Sequence, residues 1–164
     1  MSTKVHQLVD GQGLPLVIAV TAGQASDSPM LPPLLAEQQV SRAVRSPRTS
    51  PDSVRGDKVY SSRAIRTHLR DRGITAVIPE PADEQGHRKR RGSLGGRPAS
   101  YDTADHKRRN VIERRFCHLK RWRGLATRYE KYATTYRAAV VLNAVIAWTQ
   151  HLQDTPLLWV GGCP

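Results

Sequence analysis

The chain is short of cysteine, of phenylalanine and of acid. Its 164 residues include two Cys, one Phe and 14 Asp and Glu, against 26 Lys and Arg. Cys117 and Cys163 offer neither a disulfide framework nor a paired metal-ligand spacing, and the six His are scattered. A disulfide scaffold and a zinc site are therefore excluded as organising principles, and the cysteine usage fits a reducing cytosol. Long apolar runs are also lacking: the most apolar stretch, residues 138–148, falls well short of the ~20 residues a bilayer span needs and reads as a buried helix. Residues 1–9 carry neither a long apolar core nor a cleavage site, so membrane attachment has no support and a cytoplasmic location is expected. At 164 residues the chain is expected to form one domain or a large part of one, although its 38% apolar content lies below the usual range.

The scarcity of acid is local. Residues 87–128 hold 14 of the Lys and Arg against Asp102, Asp105 and Glu113, which accounts for +11 of the formal +12 charge. So dense a basic patch points to an anionic polymer as partner, nucleic acid well ahead of membrane. Arg88, Lys89, Arg90 and Arg91, with Lys107 and Arg108, are expected to bind nucleic-acid phosphates without reading sequence, with an affinity that falls steeply with salt. The plain alternative for the first of these runs is a solvated, disordered loop.

Along the chain, residues 5–9 and 14–21 are β-prone runs separated by Asp10-Gly11-Gln12-Gly13, a turn cluster that predicts an antiparallel hairpin. After Gly23, Asp27-Ser28-Pro29 supplies a cap and a first-turn proline, and Met30, Leu31, Leu34 and Leu35 an apolar face, so a short helix follows. Residues 41–53, rich in Arg, Ser and Pro, read as exposed loop. Residues 53–57 read as a short strand ending in Asp57. Ser61 or Ser62 then caps a helix carrying Ile65 and Leu69 and stopped by Gly73, and residues 74–78 make another strand. That strand, helix, strand order predicts an α/β domain with parallel pairing.

Residues 81–100 cannot form a core and read as a mobile basic loop. Asp102 or Thr103 caps a long helix over 102–122, whose Ile112, Phe116, Leu119 and Trp122 recur at three- and four-residue steps. A last helix over 135–152 is apolar nearly all round, and the tail 153–164 has no assignable role. Trp122 reads as core rather than as a base-stacking platform. Tyr129, Tyr132 and Tyr136 are open to either reading, and Cys117 and His118 have no special part.

Chemistry centres on two acids. On a helix, Arg109 and Lys120 fall about 40° and about 20° from Glu113, so all three project from one face. A carboxylate there stands at the rim of the apolar stripe with two cations able to flank a phosphate; ordinary helix surface with an ion pair is the bland counterpart. Asp57 closes a strand at the carboxyl end, where open α/β sheets place ligands, although strand-end acids often cap turns. Together Asp57 and Glu113 offer hard oxygen ligands that suit Mg²⁺ or Mn²⁺ in phosphodiester exchange, a chemistry that normally wants a third carboxylate.

Thr3-Lys4-Val5-His6, Asp10 to Leu16, Thr21-Ala22-Gly23-Gln24, Asp57 to Ser62 and Arg108 to Phe116 resemble bacterial insertion-sequence DDE transposases. The resemblance runs from Lys4 to about His151 and is nearest to the branch with a Y-x2-R-x3-E-x6-K pattern. Arg109, Glu113 and Lys120 match that pattern, and His106 stands at its tyrosine position. It implies an RNase H-like mixed sheet flanked by helices, with Asp57 and Glu113 as catalytic metal ligands and Tyr60, Arg109 and Lys120 supporting them. It further implies Mg²⁺ or Mn²⁺, and double-stranded transposon ends and target DNA as partners. Water would cut at the transposon end, and the freed 3′-hydroxyl would attack the target.

In such enzymes the first acid lies on a central strand before the segment matching residues 3–9, so this chain, read as residues 1–152 of a partial catalytic domain, is expected to lack both. Asp10 and Asp27 read as turn and helix caps instead. The expectation is poor activity alone, with a homo-oligomer or a full-length transposase as possible assembly. A non-catalytic DNA-binding or inhibitory fragment would need only the basic patch. An RNA-binding basic protein would explain the charge but not the ordered acids.

Overall fold

The computed structural model describes residues 3–41, 44–99, 101–127, 130 and 132–154. The chain opens on the expected hairpin. Strands β1 (Thr3–Val9) and β2 (Pro15–Ala22) pair antiparallel, with Val5 opposite Val20 and Leu8 opposite Val17. The Asp10 carboxylate accepts from the backbone N–H groups of Gln12 and Leu14, both at 2.9 Å, so Asp10 is the turn cap its position predicts. Gly13 has φ 92°, a conformation that L side chains avoid, and a Cβ there would lie 2.9 Å from a Val111 methyl. The turn thereby rests on the helix that carries Glu113.

Both faces of the hairpin are covered, and residue parity decides which side chain goes where. Val5, Ile18 and Val20 join Leu119, Leu125, Tyr136 and Val140 in one core, while Leu8 joins Leu31, Leu35, Val54, Ile65, Leu69, Ile74 and Ile78 in another. The second core is built by helix α1 (Leu31–Glu37), strand β3 (Ser53–Arg55), helix α2 (Arg63–Asp71) and strand β4 (Thr75–Val77). The Ser62 hydroxyl caps α2 by accepting from Ile65 N–H at 3.3 Å, and β3 and β4 pair in parallel. The strand, helix, strand reading of this region therefore holds. Among the described residues, the hairpin and the parallel pair are separate two-stranded sheets rather than one mixed sheet.

Four expectations need correction. Residues 81–100 are not a loop throughout: Ala82–Arg90 form helix α3, followed by a 3-10 turn over Gly92–Gly95. Helix α3 buries no residue. Its acids Asp83 and Glu84 lie in the first turn and its basic residues His87 to Arg90 in the last, the order the helix dipole favours. The helix expected over 102–122 is divided into α4 (Thr103–Lys107), α5 (Asn110–Lys120) and α6 (Arg123–Ala126). The first join falls between two side chains drawn to other elements, Asp105 to Arg55 and Arg109 to Asp57. Asp27 stands where a cap would, yet its carboxylate makes no capping bond and instead lies 3.1 Å from Lys4 Nζ and 3.6 Å from His6 Nδ1.

The last helix, α7 (Ala133–Asp154), buries Tyr136, Val140, Asn143 and Ala144 and is not enclosed all round, since Val141, Leu142, Val145 and Leu152 are exposed. Trp148 pins it to the hairpin by donating from Nε1 to the Pro15 carbonyl at 2.8 Å. Trp122 packs on the core beside Phe116, as expected, and Tyr136 is buried with its hydroxyl donating to the Leu125 carbonyl. Tyr132 is exposed, while Tyr129 and the tail from residue 155 onward lie outside the described residues.

Candidate active site

Asp57 lies two residues beyond β3, where the chain leaves the parallel pair. Its Oδ1 accepts from the Lys58 backbone N–H at 2.7 Å, capping a 3-10 turn over Lys58–Tyr60 and leaving Oδ2 directed elsewhere. Gly56, just before it, is closely packed: a Cβ there would lie 3.3 Å from the Tyr60 ring, which would have to give by a few tenths of an ångström, and 3.4 Å from an Ile78 carbon. Tyr60 is half-buried against the Leu31 to Ile78 core. Burial pushes its phenol above the ordinary range, and the charges of Asp27 and Asp57 add to the shift.

Glu113 projects from the first turn of α5, and Arg109 precedes that helix as its N-cap residue. Arg109 joins the two acids. Its Nη2 donates to Glu113 Oε1 at 2.9 Å, and its Nη1 lies 3.7 Å from Asp57 Oδ2. Two carboxylates from distant parts of the chain thus converge on one guanidinium. Carboxylate oxygens are ligands that suit a hard divalent cation, and here the oxygens that face the shared point are paired with the positive charge of Arg109. Among the described residues no third His, Cys, Asp or Glu joins them in a group able to hold a metal.

Lys120 is exposed on the last turn of α5, seven residues and therefore about 10 Å along the axis from Glu113. His106, at the tyrosine position of the motif, is tilted against Tyr101 with ring centroids 5.3 Å apart.

The expected phosphate binders divide. Lys89, Arg90, Arg91, Lys107 and Arg108 are exposed, whereas Arg88 does not stand free. It is ion-paired with Glu80, and both side chains are 18% exposed. Two features that motif spacing did not single out fix the frame of the site. Arg55, at the end of β3, donates from Nη2 at 2.6 Å and from Nε at 3.1 Å to Asp105 Oδ1, tying the Asp57 strand to the approach of α5. Arg115 is buried and donates to the Asn143 side chain, fastening α5 to α7, and burial lowers its pKa. The i, i+3 and i+4 pattern of α5 could have found Arg115, because that position falls on the apolar stripe between Ile112 and Leu119.

The mixed α/β fold and the grouping of two acids with an arginine do not by themselves name a family, and comparison with known proteins supplies it. Residues 1–148 match the family described as Transposase DDE domain. The chain is 32% identical over 148 residues to a Burkholderia cepacia protein named as a transposase for insertion sequence element IS402. It is 31% identical over 149 residues to a Brucella ovis protein named as a transposase for insertion sequence element IS6501. These matches take in 89% and 90% of this chain. The chain spans 63% of the length of the first relative and 98% of the second. No solved structure matches. The chain belongs to the DDE transposases of bacterial insertion sequences. No helix among the described residues is long and apolar enough to cross a membrane.

Proposed function

We propose that this chain supplies two of the acids with which an insertion-sequence transposase cuts its element's DNA ends and joins them to target DNA, in the bacterial cytoplasm. The observation that carries this reading is the convergence of Asp57 and Glu113 on Arg109. When held by Asp57 and Glu113, Mg²⁺ or Mn²⁺ would supply Lewis-acid activation of an attacking oxygen and stabilisation of a leaving one. Asp57 and Glu113 would orient it. Lys120, and the exposed Lys89, Arg90, Arg91, Lys107 and Arg108, would hold the duplex by its phosphates, and the Tyr60 ring would stiffen the turn that presents Asp57.

A third carboxylate has to come from outside the described group, so the two-acid site is weakly active or inactive by itself. We read the hairpin and the parallel pair as portions of an RNase H-like sheet that gains both a strand and an acid in the complete enzyme, which acts as an assembly of copies on DNA. The alternative, a non-catalytic DNA-binding or inhibitory fragment, needs only the exposed basic residues.

The test is strand transfer from a labelled insertion-sequence end with Mg²⁺ or Mn²⁺. It compares this chain with a form carrying the additional length found in the Burkholderia relative. Transfer by the longer form, abolished by Asp57→Asn and by Glu113→Gln, supports the reading. Undiminished transfer by both variants would refute it, and DNA binding without transfer in either form would favour the fragment.

A further inference from the structure

Arg109 stands at the join of two helices, one residue beyond the C-cap of α4. It is the N-cap residue of α5, at the end whose partial charge is positive, and it precedes Glu113 by four residues, the weaker orientation for a helical ion pair. The C-terminus of α4 favours a cation and offsets part of that cost, so local helix energetics do not decide the position. The two carboxylates do, because the guanidinium presents one Nη group to Glu113 Oε1 and the other to Asp57 Oδ2.

We propose that Arg109 is a built-in counter-cation, which holds Asp57 and Glu113 together in the metal-free protein and is displaced from between them when a divalent cation binds. This rests on the reading of the two acids as metal ligands. Without a cation the carboxylates would repel each other, and one guanidinium leaves the trio at a net charge of −1, which a divalent ion replacing it would neutralise. The exchange needs no unfolding: the side chains of Arg109, Asp57 and Glu113 are 28%, 52% and 57% exposed. Arg109 thus sets how much metal the site requires, as a positioning residue that competes with the ion. Arg108, one residue earlier, carries the same charge but lies 76% exposed and leans toward Asp105 at 3.8 Å, so it supplies a matched control.

The experiment titrates the full chain with Mn²⁺ alone, following binding by electron paramagnetic resonance and water-proton relaxation without DNA. Asp57→Asn and Glu113→Gln should weaken binding. Arg109→Gln should tighten it about fivefold or more, because competition from two exposed ion pairs is removed. Arg108→Gln should leave it within about twofold, being the charge control for the same ion-pair effect. If the acid variants weaken binding while Arg109→Gln leaves it unchanged or weaker, the counter-cation role fails and the metal-ligand reading stands. The role fails equally if Arg108→Gln tightens binding as much as Arg109→Gln, since the effect would then be diffuse charge. If neither acid variant alters Mn²⁺ binding, the metal-ligand reading fails and takes the proposal with it.

Discussion

Removing Asp105 would cut the link between β3 and the approach to α5, and the structure sets how much that should cost. One carboxylate oxygen accepts from two nitrogens of Arg55, at 2.6 and 3.1 Å, and the side chains are 27% and 21% exposed for Arg55 and Asp105. Fully exposed ion pairs contribute about 0.2–1 kcal/mol, and hydrogen bonds to charged groups about 1.5–3 kcal/mol. A pair that is three-quarters covered but not enclosed belongs between those ranges, so the coupling energy should be about 1.5 kcal/mol. Arg108 also approaches Asp105, at 3.8 Å, and a single substitution would confound the two interactions. A double-mutant cycle of Arg55→Ala and Asp105→Ala, read as urea midpoints at constant m value, isolates the Arg55 contribution. The two single variants should also weaken Mn²⁺ binding, because the link fixes Asp57 relative to α5. A coupling below about 0.3 kcal/mol would place the pair among independent sites and refute its role as a tie.

Three further outcomes are expected. Burial lowers the His6 pKa, outweighing the opposing pull of Asp27, while Lys4 adds to the lowering. The unfolded chain therefore binds the proton more readily, and stability is full above about pH 6.5 and falls as the pH drops toward the depressed folded value. Urea midpoints of the His6→Gln variant should lose that slope, and an unchanged slope would remove His6 as its source. Gly13→Ala should cost about 1–2 kcal/mol for an L residue at positive φ. The cost should rise further from the approach to Val111, and Val111→Ala should recover that added part, as thermal melts would show. Replacing Lys89, Arg90 and Arg91 together by Ala should reduce the slope of log K against log salt by up to about 0.9 for each phosphate no longer neutralised. Arg88→Ala, which breaks a pair with Glu80, should change that slope little.

The hairpin was legible because Asp10 to Gly13 interrupts two β-prone runs, and the β3, α2, β4 unit because a capped helix lies between two short strands. Asp57, Arg109 and Glu113 were named from motif order, and the structure brings all three together; their catalytic role stands as the proposal above. Helix α3 was not legible from periodicity because it has no apolar face, and its acid-first, base-last charge order is a different signal. Asp27 illustrates another limit. Local sequence gives it a cap's position, whereas its partners Lys4 and His6 come from a strand that only tertiary folding brings near. The one-sided burial of α7 was illegible for a related reason: composition reports how apolar a helix is but not how many faces find a neighbour.

The two-faced hairpin makes length, more than chemistry, the fragile property of this part of the chain. Val5, Ile18 and Val20 serve one core and Leu8 the other, so many conservative replacements would disturb one core and spare the other. Deleting a single codon from either strand would transpose every side chain beyond it, sending Leu8 or Val17 where Val5 or Ile18 belongs and the reverse. Both cores would then fail at once. Indel scanning across residues 3–22 should find a sharply forbidden zone, in contrast to the exposed stretch at 44–47, where deletions meet little packing constraint.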